Sequence, residues 1–346
     1  MGKGAFGMIT IEEVARKAGV SKATVSRVIN HSGYVGEKTR ARVEAVIRKT
    51  GYTPSASAVN LSRQATSTIG VVIPEMGNAF FGELLHGIAE ETGRADLTLL
   101  YFDTDNDPEK EARALTLLAQ HRVRGLLITP ARDADPAYGR QLGEQIEKLH
   151  VPTVLMDRSF PSSRWDGVFF ENYQSGYCAG EALLQAGNRR LGIITGDLRL
   201  QIARDRYDGF CQAAKDGGYP VQERNVYQGD FTVEGGWRAA CAMLDAPSRP
   251  QAVLTCNNLL TLGFLKAIGE RGLHIGRDLA LIGIDRIPEL EYLQYGFSCV
   301  GRDTVGMGRL AVQMLRRRME QPEAPRQISL VSGQLLLRGS EKRSGS

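Results

Sequence analysis

The chain has 346 residues, 42% apolar and 24% charged, an ordinary globular composition with room for two or three domains. Its longest apolar runs, such as Ile69–Pro74, are too short to span a bilayer, and the first seven residues hold one Lys and no apolar segment, so they do not read as a secretion signal. The net charge of +4 is unevenly spread: residues 1–64 carry 11 Lys+Arg against 4 Asp+Glu, a basic head on a mildly acidic body, which points to a polyanionic partner for the head.

The five cysteines are scattered and no His pair stands at ligand spacing, which leaves no basis for a disulfide framework, a metal site or a cofactor. Residues 1–7 read as a disordered start or a cloning remnant, and the first domain spans 8–54. Thr10-Ile11-Glu12-Glu13 fits a capping box, after which Val14, Ala15 and Ala18 recur at helical spacing until Gly19. Ser21 is placed to cap a second helix, Lys22 to Asn30, with Val25, Val28 and Ile29 inward. A third helix is expected over 37–49. Two short helices joined at a glycine form a helix-turn-helix. Lys22, Ala23, Thr24, Ser26 and Arg27 remain on the outer, N-terminal part of the second helix, the part that enters the major groove in this motif. Arg27 has the fork that pairs with a guanine edge, and Ala23 suits a thymine methyl.

The run Thr10-Ile11-Glu12-Glu13-Val14-Ala15, then Ala18-Gly19-Val20-Ser21-Lys22-Ala23-Thr24-Val25-Ser26-Arg27-Val28-Ile29-Asn30, resembles the signature of the LacI/GalR family of bacterial regulators. The likeness continues through Lys38-Thr39-Arg40 and Gly51-Tyr52-Thr53-Pro54. It implies that Thr10, Ser21, Lys22, Ala23, Thr24, Ser26, Arg27 and Asn30 meet DNA. Residues 55–66 have helix-compatible spacing over about two turns, a length that is marginal alone. By the resemblance they form a hinge helix, in which Leu61 wedges into the minor groove and Ala58 packs against it.

From Ile69 onward, short apolar runs alternate with helical stretches: Ile69–Ile73, Leu97–Phe102, Gly125–Thr129 and Val154–Met156, then Leu191–Thr195, Ala252–Thr255 and Ala280–Ile284. Alternation of this kind means parallel sheets with helices on both faces. The fold class expected is a small all-α helix-turn-helix head plus an α/β two-lobed sensor body resembling the periplasmic-binding-protein fold. The body is placed at 67–340, with crossings near Glu171, Arg302 and Arg326. Lobe one is then 67–170 and 303–326, lobe two is 171–302 and 327–340, and 341–346 is a tail.

A ligand in such a fold sits at the carboxyl ends of the strands. Phe80 and Phe81 follow the first strand in Asn78-Ala79-Phe80-Phe81, which resembles the family's Asn-Pro-Phe-Phe with Ala79 in place of Pro; one of the two phenylalanines is expected in the core. Asp103, Asp157, Arg158, Glu171, Asn172, Arg206, Asn258 and Asp285 complete the effector candidates. Carboxylates, amides and an arginine beside an aromatic ring suit a polyhydroxylated ligand. Asn258 stands where an acid is usual and Arg286 follows Asp285, so the cleft reads as more positive than usual. The effector expected is therefore a sugar, a sugar acid or a sugar phosphate, with preference for the anionic forms.

The resemblance implies a homodimeric repressor in the bacterial cytoplasm, at the nucleoid, binding a near-palindromic double-stranded operator and controlled by that effector, with no membrane contact. A transport solute-binding protein would share the body but lack the head. An enzyme is disfavoured because no nucleophile elbow, phosphate-binding loop or dinucleotide fingerprint is present. Leu61→Ala is expected to weaken operator binding in a gel-shift assay while effector binding stays unchanged; unchanged operator affinity removes the wedge role.

Overall fold

A computed structural model describes residues 9–29, 32–52, 67–133 and 135–343. Two compact units divide the chain, Met1–Thr66 and Ser67–Ser346. Asn30, Ala58, Leu61 and the hinge segment lie outside the described residues.

The first unit holds three helices: α1 (Ile11–Ala18), α2 (Lys22–Ile29) and α3 (Glu37–Thr50). Thr10 and Glu13 form the reciprocal capping box: Glu13 N donates to Thr10 Oγ1 at 3.3 Å and Thr10 N donates to Glu13 Oε2 at 3.1 Å. Gly19 ends α1 in the left-handed region at φ 62°, where a side chain would be strained. Val14, Ala15, Ala18, Val25, Val28 and Val43 form the buried centre, with Ile29, Val46, Ile47 and Tyr52 packed around it. Each of the valines contributes roughly 1.5–3 kcal/mol by leaving water, and so small a core needs all of them.

The second unit contains two six-stranded sheets. Chain order in the first is β1 (Thr68–Ile73), α4 (Ala79–Arg94), β2 (Thr98–Asp103), α5 (Pro108–Gln120), β3 (Leu126–Ile128), α6 (Pro136–Leu149), β4 (Thr153–Met156) and β5 (Asp166–Phe170). The second runs α7 (Asn172–Gln185), β6 (Leu191–Thr195), α8 (Gln201–Asp216), β7 (Val226–Gln228), α9 (Val233–Leu244), β8 (Ala252–Thr255), α10 (Asn258–Glu270), β9 (Ala280–Ile284), α11 (Pro288–Tyr292) and β10 (Ser298–Gly301). The chain then returns to the first sheet through α12 (Thr304–Glu320) and β11 (Ile328–Val331), and ends in the second with β12 (Gln334–Leu336). The sheet orders are β11-β5-β4-β3-β1-β2 and β12-β10-β9-β8-β6-β7. All pairs are parallel except β10 with β12. Central strands such as β3, β4, β8 and β9 are buried along their whole length, as parallel strands covered on both faces must be.

The third crossing lies later than the sequence suggests. β11 pairs in register with β5 (Ile328 opposite Gly167, Val331 opposite Phe170), so residues 327–331 belong to lobe one and the chain crosses at Ser332–Gly333. The ladder to β5 holds the chain in lobe one for those five residues.

Both lobes contain pairs of helices that touch backbone to backbone through glycines. A Cβ on Gly87 of α4 would stand 2.0 Å from the Val305 carbonyl oxygen, and one on Gly308 of α12 would stand 2.3 Å from that of Leu84. In lobe two the same is true of Gly176 on α7 (2.0 Å from Arg206 O) and Gly209 on α8 (2.0 Å from Tyr173 O). Among the described residues no helix is long and apolar enough to cross a membrane. Gly176→Ala is expected to lower the urea midpoint by the equivalent of about 3 kcal/mol, because backbone cannot yield as a side chain does. Gly93→Ala, which meets nothing within 4 Å, is expected to be neutral or mildly stabilising in the same titration.

Candidate functional site

On the head, Ser21, Lys22, Ala23 and Arg27 are exposed along α2, with Thr24 and Ser26 half-buried. Ser21 is the cap: Thr24 N donates to its Oγ at 3.2 Å, and the two hydroxyls lie 2.9 Å apart. Lys22 Nζ is paired with Glu12 Oε1, and that ammonium holds the Glu12 carboxyl below its ordinary range. Of the residues expected to read DNA on α2, Lys22, Ala23 and Arg27 are thus exposed, with the lysine engaged by α1. Thr10 is committed to its cap but exposed.

In the body, a cavity of about 680 Å³ lies at the carboxyl ends of the strands, within the size range of small-molecule sites. Phe80, Phe81, Asp157, Arg158, Arg206 and Asp285 line it. Both phenylalanines are also core residues, their rings edge to face at 4.9 Å, so the core takes not one of them but both.

Four other candidates stand off the wall. Asp103 turns back to accept from Met76 N and Asp105 N, each at 3.2 Å. Glu171 accepts from Ser332 Oγ where the chain crosses between lobes. Asn172 accepts from Arg206 Nε at 2.8 Å and so holds that arginine from behind. Asn258 donates to Asn78 Oδ1 at 3.0 Å, and its neighbour Asn257 lines the cavity in its place. The one-residue offset follows from capping, since Asn257 is the N-cap of α10 and Asn258 its first helical residue.

Arg302, which sequence reading placed only at a crossing, is central. Its guanidinium lies 4.6 Å from the Phe80 ring centroid and 4.5 Å from that of Phe170. Arg302 Nε donates to Asp285 Oδ1 at 2.6 Å, and Nη1 is 3.8 Å from Asp157 Oδ1. Carboxylates from both lobes therefore flank one buried cation. Its signal in the sequence is weak, because Ser298–Gly301 is too short and small to read as a strand. Arg206 donates from Nη1 to Cys256 O at 2.6 Å, and burial pushes its guanidinium down to about 10, still protonated at neutral pH. Arg158 Nη1 donates to Asn106 Oδ1 at 2.8 Å and also reaches the carbonyls of Pro130 and Ala131.

Asp133, also missed, is 3% exposed, and burial pushes its carboxyl up to about 6 against the pull of Arg158. Behind the wall, Glu111 accepts from Ala131 N and from Tyr138 Oη, each at 2.8 Å. Burial raises it to about 7 despite those bonds. Arg286, expected to enrich the cleft in positive charge, is not on the wall; it turns away and pairs with Glu291 at 2.8 Å. Asn258 is likewise withdrawn, so the argument for an anionic ligand loses both its supports. Among the described residues no group of three or more His, Cys, Asp or Glu could hold a metal ion.

A helix-turn-helix head with a two-lobed α/β body enclosing a polar cavity defines a ligand-controlled DNA-binding regulator. Residues 10–55 match the bacterial regulatory proteins of the lacI family, and 181–341 match a periplasmic binding protein-like domain. The chain is 34% identical over 313 residues to the HTH-type transcriptional repressor PurR of Klebsiella pneumoniae (strain 342), covering 90% of this chain and 91% of the relative. To PurR of Mannheimia succiniciproducens it is 30% identical over 336 residues, 97% of this chain and 99% of that one. The solved complex of the transcriptional regulator CelR with cellobiose superposes with a TM-score of 0.72 at 26% identity, over 96% of this chain and 99% of that chain. The Lac repressor dimer bound to operator and an anti-inducer shares the fold with a TM-score of 0.85 at 24% identity, over 97% of this chain and all of that one. The chain belongs to the LacI family and is a DNA-binding transcriptional repressor of that family; its relatives are repressors and not enzymes.

The raised carboxyl of Glu111 carries a pH signature. A carboxyl whose folded value is raised stabilises the fold fully below its ordinary 4.5 and loses that contribution as pH rises through about 7. Glu111→Gln removes the loss. Relative to the parent it is expected to gain stability between pH 5 and pH 8, by at most about 3 kcal/mol. Thermal melts at the two pH values check this; a parallel pH response means Glu111 is already ionised in the folded body.

Proposed function

We propose that this repressor is controlled by a neutral polyhydroxylated effector bound in the cavity between the lobes. The observation that carries the reading is the charge balance of the cavity floor. Its deeply buried ionic groups are three carboxylates, Asp133, Asp157 and Asp285, and three guanidiniums, Arg158, Arg206 and Arg302. The rest of the lining carries five acids, the exposed Asp105, Asp135 and Asp230 and the half-buried Glu75 and Asp197, against the three exposed arginines Arg132, Arg199 and Arg204. A balanced floor inside a lining with more acids than arginines gives an anion no net attraction, whereas hydroxyl groups can donate to the carboxylates and accept from the guanidiniums. Cellobiose in the CelR complex is a ligand of this type.

A flat heterocyclic base is a second reading, favoured by Phe231, an aromatic residue that lines the same cavity. In either case the chain acts as a homodimer on a near-palindromic operator, read by Lys22, Ala23 and Arg27, with Leu61 as the hinge wedge. Effector control requires that the ligand prefer one lobe arrangement over the other.

A thermal-shift panel of cellobiose, D-ribose, D-gluconate, D-glucose 6-phosphate and adenine decides among these. A neutral sugar at about a hundred times its Kd is expected to raise the Tm by about 5 °C, and Asp285→Asn is expected to abolish the shift. Shifts confined to gluconate and the phosphate overturn the neutral reading, and a shift with adenine alone selects the heterocycle.

A further inference from the structure

The helix that carries Arg206 is capped from the opposite lobe. Most helices of the body bring their own cap, as Asn78 does for α4 and Asn257 for α10. α8 does not: its N-cap is Leu200, whose side chain has no oxygen to offer. Its first amide is satisfied by lobe one, where Gln201 N donates to Asp133 Oδ2 at 2.8 Å. The Ile202 amide also faces that carboxyl. The orphan N–H groups and positive end of a helix N-terminus favour a carboxylate there.

We propose that Asp133 is a positioning residue of the effector cavity, holding the first turn of α8 from across the cleft, so that this turn is in order only while the lobes are together. Leu200, Ile202 and Arg204 of that turn line the cavity, and Arg206 follows one residue pair later. When the lobes part, the α8 amides lose their acceptor and Asp133 loses a donor that partly compensates its burial. Lobe separation therefore frays one wall of the cavity, and an effector that needs that wall favours the lobes together. The inference rests on the cavity being the effector site, but the cap itself is tested without a ligand.

The test compares the parent with Asp133→Asn, which keeps an acceptor oxygen, and Asp133→Ala, which removes it. Amide hydrogen exchange at Gln201 and Ile202 in the ligand-free protein is expected to speed up about fivefold in the alanine variant. The asparagine variant should stay near the parent. Unchanged exchange in Asp133→Ala overturns the cap. In the compound panel above, whichever of the five shifts the parent's Tm should shift Asp133→Ala less than it shifts Asp133→Asn; equal shifts in the two variants overturn the positioning role.

Gln201→Pro guards against a folding failure of Asp133→Ala. It deletes the donor at the first helical position, where proline is well accommodated, and Leu200 already has the extended backbone (φ −81°, ψ 132°) that must precede one. It should speed exchange at Ile202 and reduce the panel response; a parent-like result on both overturns the proposal. A panel that shifts none of the proteins defeats the effector reading, while the exchange arm still decides the cap.

Discussion

A buried guanidinium has to be matched, and the interior of the cleft is organised around matching Arg302. Leaving water costs a cation several kcal/mol unless opposite charge and hydrogen bonds replace the solvent. Arg302 stands where the chain passes from lobe two to lobe one, so its partners come from both. Asp285 supplies a close ion pair from the end of β9, Asp157 approaches from the end of β4, and the rings of Phe80 and Phe170 lie close to the guanidinium. The two aspartates occupy equivalent places in the two sheets. Each has a left-handed backbone, φ 59° at Asp157 and 78° at Asp285, a conformation aspartate tolerates better than most side chains. Each N–H bonds to the neighbouring strand, to Val168 O and Val300 O. The strand ends therefore turn their carboxylates inward in both lobes.

Such equivalence extends to the helix pairs. α4 with α12, and α7 with α8, approach so closely that glycine carries the contact from each side. In lobe two the carbonyl that meets Gly176 is that of Arg206, so the same helix crossing sets the backbone of a cavity arginine. Packing and site are one constraint at this point, because the helix cannot shift without moving Arg206 or colliding with α7.

Much of this was legible in the sequence where periodicity and capping are strong. The capping box at Thr10, the stop at Gly19 and the inward Val25 and Val28 follow from local rules, and α1 and α2 follow them closely. Strands made of continuous apolar residues, such as β1, β8 and β9, were equally plain. β7, β10, β11 and β12 were not, because three or four residues with half-exposed or small side chains leave no period to detect. That gap hid the late third crossing and the role of Arg302 at the end of β10. The offset between Asn257 and Asn258 has a different origin: adjacent residues at a helix start diverge by about 100°, and only the cap geometry says which one faces the cavity. Asp133 could not have been found, since its partner is an amide 68 residues away in the other lobe.

Few groups hold the two lobes together, and this has a consequence for control. Asp133 with α8 and Asn78 with Asn258 are single hydrogen bonds, each worth on the order of 1 kcal/mol net, somewhat more where a charge takes part. Asp157 and Arg302 are 3.8 Å apart, beyond hydrogen-bond reach, and Asp157 Oδ1 and Arg302 Nη1 have no hydrogen-bond partner among the described residues. At that distance the pair couples the two lobes by charge attraction without a direct hydrogen bond. The arrangement is therefore held by a few kcal/mol at most. A ligand that bridges the lobes needs about 5.5 kcal/mol of differential affinity to reverse a 99:1 preference. Two or three hydroxyl groups, each bonded to a buried carboxylate or guanidinium, supply energy of that order. Weak latches at helix N-termini and a long ion pair at the crossing thus place the balance between lobe arrangements within reach of a small polar molecule.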